Sequence, residues 1–63
     1  MAHYSLEFEG VEGVELINRI TTALMMMDGV ESVEVGRHGA EVEGRVSRQA
    51  LLGELKKLGV RAK

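Results

Sequence analysis

At two places along this chain, the spacing of the apolar residues changes from the pattern of a strand to the pattern of a helix. Apolar and polar residues alternate strictly through residues 4–9, as they do in a strand with one buried face. Apolar residues then recur at spacings of three and four between Leu16 and Met27, as on an amphipathic helix. Each half of the chain reads strand, helix, strand, so the pattern predicts the element order βαββαβ.

Turn and capping residues set the limits of these elements. Gly10 and Gly13 bracket a loop before the first helix, and Gly29 is predicted to end that helix in a left-handed conformation. Ser47 is a good N-cap for the second helix, and Gly59 stops it. The strands are expected at 4–9, 33–35, 40–46 and 60–63, with a hairpin turn at 36–39.

A βαββαβ order predicts an α+β fold of the ferredoxin-like type, a sandwich in which two helices cover one face of a four-stranded antiparallel sheet. The expected strand order across the sheet is 4-1-3-2. A chain of 63 residues has room for one hydrophobic core, so residues 1–63 are expected to form a single domain.

The composition excludes several classes of protein. The sequence has no cysteine, so it offers neither a disulfide framework nor a thiolate metal site. No apolar run approaches the roughly 20 residues of a membrane helix, and no signal-peptide pattern precedes the first strand, so a cytoplasmic location without membrane insertion is expected. A net charge of −2 and a pI near 5.6 argue against nucleic acid as a partner.

The sequence resembles the heavy-metal-associated domain family, to which the copper chaperones belong. The resemblance covers nearly the whole chain and is carried by residues in both halves: Gly10, Ile20, Ala23, Leu24, Gly29, Val30, Val33, Glu34, Val35, Leu58 and Gly59. It implies the ferredoxin-like fold and a relation to metal chaperones and transporters. That family carries Met-x-Cys-x-x-Cys in the first loop, where this chain has Val11, Gly13 and Leu16. The resemblance therefore implies a family scaffold with a degenerate metal site.

The remnant of the metal loop offers few ligands. It consists of Val11, Glu12, Gly13, Val14, Glu15 and Leu16. Soft ions such as Cu(I) need thiolate or thioether ligands, which this loop lacks, so no cofactor is expected. Glu12, Glu15 and His38 remain as candidate ligands for a harder cation, because the hairpin turn lies at the same end of the expected fold. Leu16 is expected to turn inward, and if it is buried its change to alanine costs about 2–5 kcal/mol.

Other candidate metal ligands are interpreted as structural. Met25, Met26 and Met27 are adjacent, and successive helical residues point about 100° apart, so these thioethers do not share one face. Met27 is expected to fill the core, which leaves the other two towards solvent or a partner. The two histidines, His3 and His38, are expected at opposite ends of the sheet and cannot share an ion.

The uncovered face of the sheet is predicted to be acidic. Glutamates occupy the outward positions of three strands: Glu7, Glu9, Glu34, Glu41 and Glu43. Arg61 and Lys63 of the last strand are expected to offset part of this charge, with Arg45 on the third strand. The two aromatic residues fall on inward positions, so this face lacks the stacking residues of an RNA-binding sheet. It is a candidate interaction face for a basic protein, and an ordinary solvated face is the alternative.

The sequence contains no Ser-His-Asp set and no P-loop, so no enzymatic activity is expected. The favoured hypothesis is a small soluble domain, related to heavy-metal chaperones, that acts as a protein-docking or regulatory module. Its partner is then another protein or a second copy of the chain. Two alternatives stay open. One is weak binding of a non-thiophilic metal ion through Glu or His, and the other is a self-associating structural domain that uses Met25 and Met26.

Overall fold

The computed structural model describes residues 2–63, and within them the elements follow the predicted order. They are β1 (Ala2–Glu9), α1 (Val14–Met25), β2 (Val30–Val35), β3 (Gly39–Gly44), α2 (Arg48–Lys57) and β4 (Arg61–Ala62). The strands pair in antiparallel fashion in the order β2-β3-β1-β4, and the helices cover one face of this sheet. The structure confirms the predicted ferredoxin-like fold and strand order.

The hydrophobic core lies between the helices and the covered face of the sheet. Ile20 and Leu24 of α1 and Leu51 and Leu55 of α2 are fully buried, and in each helix the two residues are four positions apart on one stripe. They pack against buried residues of the strands and connections: Leu6, Phe8, Val11, Ala40, Val42 and Val60. Burying a side chain of this size contributes roughly 1.5–3 kcal/mol, so this core is the main source of stability.

The first helix ends earlier than its sequence pattern predicts. α1 ends at Met25 with Met26 as its C-cap, and the Met27 N–H donates to the Leu24 carbonyl oxygen at 3.2 Å, in a tighter final turn. Gly29 has the predicted positive φ, at +91°. It lies in the turn that leads into β2, however, so the prediction that it caps the helix was wrong.

The second helix carries both of its predicted end signals. The Ser47 Oγ accepts a hydrogen bond from the backbone N–H three residues further on, at 3.1 Å. At the other end Gly59 has a φ of +80°, its N–H donates to the Lys56 carbonyl, and the Val60 N–H donates to that of Leu55. Within residues 2–63, neither helix has the length and apolar character needed to cross a bilayer.

The α1–β2 and β3–α2 connections meet at one end of the domain. Gly44 ends β3, and the next N–H, that of Arg45, donates to the Gly29 carbonyl oxygen at 2.7 Å. A Cβ atom on Gly44 would lie 2.1 Å from the same oxygen, so the two backbones approach as closely as glycine allows. The prediction that the third strand continues to Val46, with Arg45 on its outer face, was therefore wrong.

This close approach predicts that Gly44→Ala destabilises the domain by about 2–4 kcal/mol, because the added methyl group meets backbone atoms that cannot move independently. The matched control is Gly53→Ala. Gly53 is an exposed residue within α2 with open space around it, so the same change there is expected to stabilise by about 0.5–1 kcal/mol. Equilibrium urea unfolding measures both effects. Equal effects of the two substitutions would contradict this account.

Candidate functional site

The loop between β1 and α1 is held by one buried side chain and turned by one glycine. Val11 is only 5% exposed and belongs to the core cluster. Gly13 is the N-cap of α1, has a φ of +119° and makes no side-chain cap. L-residues rarely adopt such a φ, so the backbone here has a conformation suited to glycine.

The three positions that correspond to the metal motif have three different environments. Val11 is buried, Gly13 has no side chain, and Leu16 packs against the core while staying partly exposed. The expectation that Leu16 turns inward is confirmed, but its burial is incomplete because the first turn of α1 lies at the rim of the core. Between them Val14 is 69% exposed. Sequence reasoning missed the buried Val11.

The candidate oxygen and nitrogen ligands near the β1–α1 loop line two shallow concavities of the surface. Glu12 and Glu15 line one, beside Arg19, and Glu12 also lines the other with His38, beside Arg37. An arginine guanidinium lines each concavity, and its positive charge disfavours the binding of a cation nearby. Among residues 2–63, no group of three or more His, Asp or Glu side chains is placed to hold a metal ion.

The methionine run is divided as predicted. Met27 packs against the core, whereas Met25 and Met26 are 47% and 79% exposed. His38 is exposed in the hairpin turn, and its carbonyl oxygen accepts a hydrogen bond from the Phe8 N–H at 2.8 Å. His3 pairs with Glu43 near the other end of β1, so the structure keeps the two imidazoles apart.

The uncovered face of the sheet carries all five predicted glutamates on exposed positions of β1, β2 and β3. The strand register places Glu34 directly opposite Glu41, and like charges in that arrangement repel. At the β4 side, Glu9 lies opposite Arg61, and the backbone of Glu7 exchanges hydrogen bonds with that of Lys63 at 2.9 and 3.0 Å. Arg61 and Lys63 therefore lie beside Glu9 and Glu7, and the acidic charge is concentrated over β2 and β3.

Ser5 and His3 of β1 organise the carboxylates of β3. Ser5 lies opposite Glu41 in the register, and its Oγ donates a hydrogen bond to the Glu41 Oε2. The His3 Nε2 lies 3.3 Å from the same oxygen, and the Nδ1 lies 3.7 Å from the Glu43 Oε1. The hydrogen bond from Ser5, reinforced by His3 and partly opposed by burial, lowers the pKa of Glu41 below its ordinary value of 4.5. The sequence alternation already placed His3 and Ser5 on this face, but only the register shows their partners.

Comparison with known proteins identifies solved structures with the same fold. No family model matches the chain, and no curated protein matches it by sequence. A copper-binding domain from HMA7, a P-type ATPase, has a TM-score of 0.93 and 22% identity, and the match covers 100% of this chain and 92% of that one. A second structure, solved in a study of crosstalk between Cu(I) and Zn(II) homeostasis, has a TM-score of 0.91 and 22% identity. The match covers 100% of this chain and 97% of the other. A solution structure from Bacillus anthracis strain Ames has a TM-score of 0.92 and 21% identity over 98% of this chain and 94% of the other.

These similarities show that the chain has the fold of the copper-binding heavy-metal-associated domains along its whole length. At 21–22% identity they establish the fold alone. The chain builds this fold without any cysteine, which agrees with the loss of the family's thiolate motif.

The loop geometry predicts a ranking of alanine substitutions by burial. Val11→Ala is expected to cost about 2–3 kcal/mol, because it empties a buried site, and Leu16→Ala about 1–2 kcal/mol, because Leu16 is only partly buried. Val14→Ala, the exposed control, is expected to stay within about 0.5 kcal/mol of the unmodified protein. Chemical denaturation gives the three values. A Leu16→Ala cost larger than that of Val11→Ala would place Leu16, rather than Val11, as the anchor of the loop.

The environment of Glu41 predicts how its carboxyl group titrates. Because the folded state lowers the pKa of Glu41, the group stabilises the fold above its unfolded pKa, and this stabilisation is lost as the pH falls below 4.5 and through the lowered pKa. Ser5→Ala removes the hydrogen bond that contributes most and should raise the pKa of Glu41 towards its ordinary value. The side-chain carboxyl ¹³C shift reports the titration. Ser32→Ala, opposite Glu43, is the control and should leave the Glu41 midpoint unchanged. Equal midpoints in the Ser5→Ala and Ser32→Ala variants would contradict the assignment.

Proposed function

We propose that this chain is a docking domain that recognises a basic protein partner through its acidic sheet face and needs no metal. The observation that carries the proposal is the grouping of Glu34, Glu41 and Glu43 on exposed, adjacent positions of β2 and β3. Within residues 2–63, the only basic side chain in contact with these three carboxylates is that of His3. Such a field attracts and orients a positively charged partner.

The replacement of the metal motif supports the same function. In this fold a soft metal ion would need sulfur ligands in the first loop, and the chain has Gly13 and Leu16 at the two cysteine positions. Val11 and Leu16 instead contribute apolar surface to the core. The domain therefore keeps a folded surface without the chemistry of metal transfer, and we infer no enzymatic activity.

The charge on the sheet favours a different protein as partner over a second copy stacked face to face. Two copies stacked on this face would bring Glu34, Glu41 and Glu43 of each against the same residues of the other, and like charges repel. A partner with exposed Lys or Arg residues meets no such cost.

Neutralising the face tests the proposal. The variant Glu34→Gln/Glu41→Gln/Glu43→Gln removes the three charges that carry the proposal with little change in shape, and the probe is an oligolysine peptide. Association with this variant should be slower and lose most of its salt dependence, because the local field is gone. The control, Glu12→Gln/Glu15→Gln/Glu54→Gln, makes the same change in net charge away from the face and should bind like the unmodified protein. Stopped-flow kinetics at low and moderate salt make the comparison. If both variants lose binding equally, net charge alone explains it and the proposed face is wrong.

Competition with a strong Cu(I) chelator tests the independence from metal. Thiolate metal sites supply about 10–16 kcal/mol of apparent binding energy in small domains, and this chain has no equivalent ligand set. The unmodified protein is expected to take no Cu(I) from the chelator. The positive control, Gly13→Cys/Leu16→Cys, restores both sulfurs and should take up the metal, at a cost in stability of the metal-free form, because residue 13 has a positive φ. Stoichiometric transfer to the unmodified protein would contradict the proposal.

A further inference from the structure

β2 forms an outer edge of the sheet, and part of its backbone faces outward. The Gly36 N–H donates to the Gly39 carbonyl oxygen at 2.9 Å, which closes the β2–β3 hairpin. Hydrogen-bonded and non-hydrogen-bonded pairs alternate along an antiparallel ladder, so the backbone groups of Glu34 point towards β3 and those of Val33 and Val35 point away from it. Among residues 2–63, no strand pairs with this side of β2.

The two faces beside this edge differ sharply in chemistry. Val33 and Val35 are half-buried and pack against the core beneath the helices. Glu34 lies between them on the opposite, exposed face, next to Glu41 of β3. The edge is thus apolar on one face and acidic on the other.

The opposite edge of the sheet is less open to a new strand. β4 comprises only Arg61–Ala62 and pairs with the last residues of β1. Beyond it, the Arg48 guanidinium donates to the Ser5 carbonyl oxygen at 3.3 Å and so covers part of the uncovered stretch of β1. The outer side of β2 is therefore the more accessible template for strand addition.

We propose that an extended segment of a partner protein adds to this edge as a fifth strand beside β2. The segment carries Lys or Arg at alternate positions, which face Glu34 and its neighbours, and apolar residues between them, which continue the surface of Val33 and Val35. The backbone groups of the two valines supply hydrogen bonds, and the glutamates select a basic sequence. The inference rests on the proposed docking function and specifies how the partner is held.

A second copy of the chain is a poorer occupant of the same edge. Two β2 strands paired in antiparallel fashion would bring the acidic faces of both copies together, and like charges across adjacent strands destabilise the pair. The irregular register between Val30 and Ser32 also bends the strand at one end, a feature that limits edge-to-edge pairing of identical sheets.

The probe is a synthetic peptide in which lysine alternates with valine, and a second peptide of the same composition carries its lysines in one block. The alternating peptide should bind the unmodified protein more tightly and protect the Val33 and Val35 amides from hydrogen exchange. Val33→Pro removes an outward N–H while leaving the ladder to β3 intact, since proline is tolerated at such edge positions. Its binding is expected to be roughly tenfold weaker than that of Val33→Ala, which loses a similar amount of side chain but keeps the N–H.

Three other results would contradict the addition of a partner strand beside β2. Equal binding of the two peptides, or of the two Val33 variants, would reject strand addition, and the acidic docking face would stand if oligolysine binding still depended on its glutamates. Failure of oligolysine and of both peptides to bind at low salt would reject the docking function as well. Protection of Val33 and Val35 that rises with protein concentration in the absence of peptide would assign the edge to a second copy. The exchange measurement uses the unmodified protein, so the test remains decisive if the proline variant fails to fold.

Discussion

Burial of one face of the sheet under α1 and α2 determines where every other residue of the strands must go. Side chains alternate between the two faces of a strand, so the same register that buries Leu6, Ala40 and Val42 turns the residues between them outward. A slip of one residue would put carboxylates against the helices, where unpaired charges are very costly. The acidic outer face is therefore linked to the core by geometry, and a slip of one residue would destroy both.

Apolar packing and a glycine turn hold the loop between β1 and α1 in place. Val11 fixes the loop from within, Leu16 extends the rim of the core, and Gly13 lets the backbone enter α1 without a capping side chain. These contacts are modest individually, but a domain of this size has a small net stability, so a few kcal/mol matter. The same fold is thus built by a sequence that is only 22% identical to the structurally similar copper-binding domain from HMA7.

The element order and the inward and outward faces of the strands could be predicted because they depend on local periodicity. The end of α1 could not, because Met25, Met26 and Met27 all favour helix and nothing local distinguishes the residue where the chain must leave it. Shortly after the helix ends, Gly29 meets Gly44, a contact between distant parts of the sequence that a local pattern does not contain. The features of the site that the sequence did not predict also depend on contacts between distant parts of the chain.

Within the site, the five glutamates followed from alternation alone, whereas the pairing of Ser5 with Glu41 and of His3 with Glu43 required the register of β1 against β3. Val11 was missed because it lies in a loop of glycine and glutamate, where no periodic neighbour marks it as buried. Long-range pairing and loop insertion are properties of the folded chain, and a local pattern carries little information about either.

The positive φ of Gly13 also bears on how a sequence like this one can change over generations. Tight Cu(I) binding needs two sulfurs, so a single cysteine at this position brings backbone strain and no metal to offset it. A single cysteine in place of Leu16 loses apolar packing and likewise provides no tight metal binding. Either first step therefore leads to a less stable protein, and a small domain has little stability to lose. Any stepwise change to a pair of cysteines in this loop would therefore pass through a single-cysteine protein that is less stable and still binds Cu(I) weakly.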